Sequence, residues 1–132
     1  MAPYAYLDAS ALAKLVVLEA ETAALENDAA HRAGLLTSRL GATELRRAAA
    51  RGGQRRIMQQ VEDVLAAVAL VEVSPAILER AGRLASVELR TLDAIHLASA
   101  LTLPFAEMDF ISYDARLADA ARSCGLTVRQ PK

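Results

Sequence analysis

Short apolar segments of strand character alternate with longer segments of helical periodicity along this chain of 132 residues. The strand-like segments occupy residues 4–8, 34–38, 69–73, 109–113 and 126–129. Strands that are separated by helical crossovers pair in parallel, and the crossovers cover both faces of the sheet. The alternation therefore predicts an α/β fold with a central, mainly parallel sheet of about five short strands flanked by helices on both faces.

Several of the predicted helices have recognisable ends. Ser74 and Pro75 form an N-cap followed by a proline in the first turn, and Gly125 is placed to end the helix before the last strand. The predicted helices occupy residues 10–18, 20–33, 42–51, 55–67, a segment opening at Ser74, 89–101 and 114–124. Since no repeat or linker interrupts this pattern, we expect one domain spanning residues 1–132.

The composition excludes several classes of protein. One cysteine, Cys124, excludes an intramolecular disulfide and a cysteine-based zinc site, and an unpaired thiol favours a reducing cytoplasm. The segment before Asp8 has no charged leader, which argues against a signal peptide. Apolar runs such as residues 64–71 are far shorter than the ~18 residues that a membrane helix needs. We therefore expect a cytoplasmic protein that does not associate with a membrane.

The predicted helix at residues 89–101 is apolar nearly all round, which is typical of a buried helix, yet it carries Asp93 and His96. No Lys or Arg occurs between Thr91 and Ala115, so no cation close in sequence can pair with Asp93. Helix capping does not explain this acid, because the residues before it continue the helical pattern. Asp93 is therefore a candidate functional residue, and His96 fits a packed or hydrogen-bonded helper better than a metal ligand.

Three other acids can meet Asp93 at one edge of the sheet. Ligands of open parallel sheets bind beyond the carboxyl ends of the strands. Asp8 closes the first strand, Asp114 follows the fourth, and Glu44 lies in the helix after the second. Carboxylates that converge in a cleft repel one another unless a cation lies among them. Oxygen ligands without His or Cys partners favour Mg²⁺ or Mn²⁺ over zinc.

Each of these acids also has a purely structural explanation. Asp8 and Asp114 precede helices and could cap them, and the hydroxyls of Ser10 and Ser112 could do the same locally. Glu44 could pair with Arg46 or Arg47 on an exposed helix; this alternative stays open at the level of sequence.

A basic segment surrounds Glu44. Residues 32–56 hold seven arginines and one acid, a net charge of +6 in a chain whose net charge is −1, so the remaining residues carry −7. Such a block suggests a polyanionic partner, although arginines on a solvated helix face are also ordinary surface. With three Tyr, two Phe and no Trp, the chain offers few platforms for base stacking.

Four short motifs together resemble the PIN-domain nucleases, and in particular the VapC toxins of type II toxin–antitoxin pairs. They are YLDASAL, ATELRRA, LDAIHLASA and ISYDARLADAA, they follow the order seen in the family, and they cover essentially the whole chain. The resemblance implies a PIN-like fold and a site in which Asp8, Glu44, Asp93 and Asp114 are the catalytic, metal-binding acids.

The same resemblance implies the rest of the function. The hydroxyls of Ser10 and Ser112 would support the site, Mg²⁺ or Mn²⁺ would be the cofactor, and the activity would be that of an endoribonuclease. The protein would form a homodimer and be inhibited by a cognate VapB-type antitoxin. The residues expected to contact the RNA substrate are Arg46, Arg47, Arg51, Arg55 and Arg56.

Three other functions compete with this interpretation. A phospho-acceptor domain also places an Asp at the end of the first strand, but it needs a lysine near the phosphoryl group, and the chain has only Lys14 and Lys132. A metal-free histidine-pair ribonuclease would have to use His96 and the surface residue His31. A non-catalytic PIN-like module that binds RNA or protein is the alternative that remains.

Overall fold

The computed structural model describes residues 1–132, apart from the side chain of Phe105. In these residues the strands form one sheet in the order β3-β2-β1-β4-β5, and every pairing is parallel. The strands are β1 (Tyr4–Leu7), β2 (Gly34–Ser38), β3 (Ala69–Val71), β4 (Met108–Ile111) and β5 (Thr127–Arg129). The predicted α/β architecture with a parallel sheet is confirmed.

Helices connect successive strands, as the alternating pattern predicted. They are α1 (Ala9–Val16), α2 (Thr22–Ala30), α3 (Arg39–Gly52), α4 (Arg55–Ala66), α5 (Pro75–Gly82), α6 (Thr91–Leu101) and α7 (Ala115–Ser123). The predicted start of α5 is confirmed, since the Ser74 hydroxyl accepts a hydrogen bond from the amide of Ile77 at 3.2 Å. In the described part of the chain, no helix is long and apolar enough to cross a bilayer.

The central strand β1 divides the core between the two faces of the sheet. Ala5 and Leu7 pack with α1, α2, α3 and α4 on one face. Tyr6 points to the other face, where it packs with Phe110 of β4 and with residues of α6 and α7. This arrangement follows from the alternation of side chains along a strand, and it carries the end of β1 into the middle of the fold.

Among the predicted helix starts that differ from the structure, those of α3 and α6 affect the candidate site residues. Helix α3 begins at Arg39, three residues earlier than predicted, because the Ser38 hydroxyl caps the amide of Gly41 at 3.1 Å. Helix α6 begins later than predicted, at Thr91, after an extended backbone at Arg90. The prediction that residues 89–90 are helical is therefore wrong. Asp93 lies in the first turn of α6, where the helix dipole favours a negative charge.

Arg32 belongs to a buried network rather than to the basic surface. Its side chain is 0% exposed and donates to both carboxylate oxygens of Asp28, at 2.8 and 3.1 Å. It also donates to the Asp109 carboxylate and to the carbonyl of Ala2. The network ties the N-terminal segment to α2 and β4, so the predicted basic block loses this member.

Candidate active site

Asp8 lies at the carboxyl end of β1 and is almost fully buried, with 2% of its surface exposed. Its Oδ1 accepts hydrogen bonds from the Ala11 amide at 3.0 Å and from the Ser10 hydroxyl at 2.6 Å, and its Oδ2 accepts one from the Ser112 hydroxyl at 2.6 Å. Burial raises the pKa of Asp8, although these hydrogen bonds act in the opposite direction. Asp8 therefore caps α1, and its role as a site residue stays a prediction.

The loops after β1 and β4 are joined by the two serines that donate to Asp8. The Ser10 hydroxyl also accepts from the Tyr113 amide at 2.9 Å, and the Ser112 hydroxyl accepts from the Asp114 amide at 3.2 Å. Asp114 is exposed and caps α7 through the Leu117 amide at 2.9 Å. Ser10 and Ser112 therefore fix the backbone that presents Asp114, as well as the carboxylate of Asp8.

Asp93 is half-buried and lies within the electrostatic reach of the other three acids. Burial raises its pKa most, and the negative charges of Asp114, Asp8 and Glu44 raise it further, while His96 acts in the opposite direction. The sequence placed these acids on four separate segments. The structure brings them close enough to act on one another.

Glu44 is held by His96 rather than by a neighbouring arginine. Its Oε1 lies 2.6 Å from Nε2 of His96, whose side chain is fully buried, and Nδ1 of the same ring lies 2.8 Å from the Tyr6 hydroxyl. The alternative that Glu44 pairs with Arg46 is wrong, because Arg46 binds Glu62 of α4. Both ring nitrogens of His96 are occupied by these contacts, which fits the predicted hydrogen-bonded helper.

A cleft of about 350 Å³ opens beside Asp93 and Asp114. Arg90 and Arg116 line it as well, together with Glu88. The two arginines lie immediately outside the stretch without Lys or Arg that singled out Asp93 in the sequence. Within the described residues no ion pair joins them to Asp93 or Asp114. The cleft therefore offers separate positive and negative groups to a ligand, and its positive side was not predicted from the sequence.

The acids suit a hard divalent cation by their chemistry, but they are not arranged as a finished coordination shell. Among the described side chains, no group of three or more His, Cys, Asp or Glu residues stands in position to hold a metal ion. The donors are all carboxylates. The pKa of Asp93 is raised first by burial and then by the negative charges of the other three acids, and a bound cation would relieve that repulsion. By this test the residues fit Mg²⁺ or Mn²⁺.

The predicted RNA-contacting arginines on α3 and α4 differ in their availability. Arg46 forms a two-point contact with Glu62, at 3.0 and 2.9 Å. The other members are exposed, and within the part of the chain that is described they form no salt bridge: Arg47, Arg51, Arg55 and Arg56. The surface that remains for a polyanion is thus the α3–α4 hairpin without Arg46.

Comparison with known proteins adds three kinds of similarity. The model of the PIN domain family matches residues 5–123. "Ribonuclease VapC46" of Mycobacterium tuberculosis is 39% identical over 132 residues, with 96% of each chain covered. "Ribonuclease VapC47" of the same species is 33% identical over 130 residues, again covering 96% of each chain.

Two solved structures share the fold at low sequence identity. VapBC2 from Rickettsia felis, bound to a DNA fragment from its promoter, superposes with a TM-score of 0.77 at 10% identity, covering 98% of this chain and 99% of the other. VapC20 of Mycobacterium tuberculosis, described as a toxin that cleaves the sarcin–ricin loop, gives a TM-score of 0.72 at 18% identity, covering 96% and 99%.

Proposed function

Because this chain belongs to the PIN domain family, we propose that it is a metal-dependent endoribonuclease, the toxin of a type II toxin–antitoxin pair. Relatives that are named ribonucleases and match the chain over almost its whole length support the activity. The observation that carries the proposal is the position of Asp93, which lines a cleft with Asp114 and whose pKa is raised first by burial and then by the negative charges of Asp114, Asp8 and Glu44. A carboxylate in a cleft with a pKa perturbed in this way is typical of a functional site.

We propose that Asp8, Glu44, Asp93 and Asp114 hold Mg²⁺ or Mn²⁺. A bound divalent cation would activate a water and stabilise the charge that develops on the scissile phosphate. Asp93 and Asp114 line the cleft and can reach a ligand from solvent. Asp8 lies deeper, where Ser10 and Ser112 fix its two oxygens and prevent the carboxylate from rotating.

Substrate binding divides between two groups of arginines. Arg90 and Arg116 line the cleft beside the acids, so they would contact the phosphates next to the scissile bond. Arg47, Arg51, Arg55 and Arg56 lie on the exposed surface of the α3–α4 hairpin and would hold the RNA backbone further from the site. Both contacts depend on charge rather than on base identity, which suits a chain with few aromatic residues.

The same proposal includes the partners. A cognate VapB-type antitoxin would inhibit the protein, and the toxin would act as a homodimer in the cytoplasm. A structural neighbour from Klebsiella pneumoniae is described as a toxin–antitoxin complex, and this supports a partner of that type.

The test is RNA cleavage with and without a divalent cation. A labelled RNA hairpin should be cut by the purified protein in Mn²⁺ or Mg²⁺ and left intact in EDTA. Asp93→Asn and Asp114→Asn should lose cleavage, whereas Asp119→Asn, which changes an exposed acid of α7 paired with Arg122, should cut as the wild type does. Binding of RNA without cleavage under all these conditions would establish the non-catalytic PIN-like module instead.

A further inference from the structure

Tyr6, His96 and Glu44 form a continuous hydrogen-bonded network that runs from the core to the acidic cluster. We infer that Tyr6 and His96 are positioning residues, which hold the carboxylate of Glu44 in place for a divalent cation and thereby set the affinity of the site for that ion. The inference rests on the proposed function, since it assigns a task to residues that support one of the proposed ligands. The sequence predicted His96 to be a packed or hydrogen-bonded helper, and it predicted no role for Tyr6.

The network is built from three elements on which the site depends. Tyr6 lies in β1, His96 in α6 and Glu44 in α3. The Tyr6 hydroxyl lies 2.8 Å from Nδ1 of His96, and Nε2 of His96 lies 2.6 Å from Oε1 of Glu44. Tyr6 and His96 are 0% exposed, whereas the Glu44 side chain is 22% exposed. One end of the network is thus fixed in the core and the other reaches the surface of the site.

The chemistry of the three groups fixes the direction of the hydrogen bonds. An ionised carboxylate can only accept, so Nε2 of His96 carries the proton that Glu44 receives. In the neutral ring Nδ1 is then an acceptor, and the Tyr6 hydroxyl donates to it. The tyrosine therefore selects the ring tautomer that presents an N–H to Glu44. Within the described residues Oε2 of Glu44 accepts no hydrogen bond, so one oxygen is held and the other is left for a ligand.

The rings of Tyr6 and His96 are packed against neighbouring side chains and against α3. The Tyr6 ring stacks on Phe110, with centroids 5.5 Å apart and planes 5° apart, and it meets the His96 ring edge-on at 5.9 Å. A Cβ on Gly41, in the first turn of α3, would lie 3.1 Å from Cε1 of His96 and 2.5 Å from the Thr37 hydroxyl. The glycine therefore lets α3 approach the imidazole closely enough for Glu44 to receive its bond.

Packing alone does not require a histidine at position 96, because an apolar side chain would fill the same space without burying two polar ring atoms. A buried imidazole is tolerated because both of its nitrogens are bonded, and the bond that reaches Glu44 couples the ring to the site. A glutamate side chain that is free to rotate loses conformational freedom when it binds an ion, and a fixed one has already lost it. Removing the hydrogen-bond partner of a ligating side chain typically weakens metal affinity by roughly 10–100-fold.

The variants that test the inference separate the hydrogen bonds from the packing. Tyr6→Phe keeps the stacked ring and removes the hydroxyl. His96→Leu removes both nitrogens, and His96→Gln keeps one donor and one acceptor. Tyr4→Phe is the matched control, since it removes a tyrosine hydroxyl from the same strand at a residue that is 41% exposed.

The main measurement is Mn²⁺ binding by the full-length protein after its metal has been removed with EDTA. Binding is measured by calorimetry and by the electron paramagnetic resonance signal of free Mn²⁺. Thermal melts of each metal-free variant show whether it is folded. We expect His96→Leu to weaken binding roughly 10–100-fold, Tyr6→Phe to weaken it several-fold, His96→Gln to restore most of the loss, and Tyr4→Phe to bind as the wild type does. The Mn²⁺ concentration for half-maximal cleavage should shift in parallel.

A double-variant comparison keeps the test valid if His96→Leu does not fold. In a Glu44→Gln background the effect of Tyr6→Phe on Mn²⁺ binding should disappear, because the residue through which the tyrosine acts is no longer a carboxylate. Equal weakening in both backgrounds, or unchanged Mn²⁺ binding in folded Tyr6→Phe and His96→Leu, would overturn the inference while leaving the proposed function intact. A wild type that binds no Mn²⁺ would overturn both.

Discussion

The Ser112 hydroxyl donates a 2.6 Å hydrogen bond to Oδ2 of Asp8, joining the ends of β4 and β1 across 104 positions of sequence. Both groups are buried, and the same hydroxyl accepts from the Asp114 amide. One small side chain thus sets the position of two of the proposed metal ligands relative to each other.

Ser112→Ala should lower both stability and cleavage. The change leaves an oxygen of Asp8 buried without its donor, which costs about 1–3 kcal/mol in the free energy of unfolding, and it frees the backbone of Asp114. Urea unfolding together with initial rates of RNA cleavage measures the two effects. Ser123→Ala, at an exposed position of α7, serves as the control and should change neither. An alanine variant with wild-type cleavage would remove Ser112 from the site.

Asp93→Asn should abolish cleavage and raise the melting temperature of the metal-free protein. The substitution removes one negative charge from a cluster whose members repel one another. Mn²⁺ binds only the folded cluster and should stabilise the wild type by about 2.7 kcal/mol at a hundred times its dissociation constant. The variant should lose most of this increment. Melts in EDTA and in Mn²⁺ test both statements, and a variant that is less stable in EDTA would show that Asp93 serves as a structural hydrogen-bonding residue.

The stability of the metal-free protein should fall as the pH rises above the ordinary aspartate range. The pKa values of Asp93 and Asp8 are raised in the folded state, chiefly by burial. Between the unfolded and the folded pKa the folded state therefore binds more protons than the unfolded state, and stability decreases with pH across that window. Urea unfolding in EDTA from acid to neutral pH should show this slope, and Asp93→Asn should make it shallower. A stability that rises with pH throughout would contradict the shifts.

Neutralising two exposed arginines of the α3–α4 hairpin should weaken RNA binding and reduce its salt dependence. We expect Arg51→Gln combined with Arg55→Gln to lower the slope of log K against log salt by up to about one unit for each phosphate that the variant no longer binds. Arg46→Gln should have a smaller effect, because Glu62 already engages that side chain. The control is Arg83→Gln, which removes an exposed arginine of another segment. An unchanged slope in the double variant would assign these arginines to solvent or to the antitoxin.

Arg116→Gln should reduce cleavage without reducing stability. Arg116 is exposed and lines the cleft with Asp93 and Asp114, so the substitution removes a charge that can bind phosphate but no buried group. Single-turnover cleavage rates and RNA affinity should fall relative to the wild type, with an unchanged melting temperature. Arg122→Gln, on the same helix but paired with Asp119, provides the comparison. Equal rates in the two variants would exclude Arg116 from substrate binding.

The order of the elements could be predicted from the sequence because strand alternation and turn residues are local information. The closeness of the acids could be predicted because Asp8 directly follows β1 and Asp114 is the third residue after β4, at the same edge of the sheet. The start of α6 was missed because the residues before Asp93 have helical spacing, while the backbone at Arg90 is extended. The spacing of apolar residues does not reveal where the backbone changes from extended to helical.

Pairings between distant segments could not be predicted from the sequence. Arg32 was counted as part of the basic block, yet it pairs with Asp109, which lies 77 positions away. The position of Arg90 and Arg116 beside Asp93 and Asp114 could not be predicted, because the absence of Lys and Arg from residues 91–115 says nothing about the arginines that border this stretch. His96 was recognised as a hydrogen-bonded helper, but its partners, Glu44 and Tyr6, lie 52 and 90 positions away. In each case the partner of the side chain is determined by tertiary contacts between segments that are distant in sequence.

The position of β1 between β2 and β4 determines when the enzyme can first become active during translation. Asp8 is synthesised before its partner Ser112, which follows it by 104 positions, and before the loop that carries Asp114. A nascent chain therefore has no complete site, and the long-range pairing of β1 with β4 is a late folding step. A chain that ends before β4 holds Asp8, Glu44 and Asp93, but it lacks Ser112 and Asp114 and therefore cannot assemble the acidic cluster.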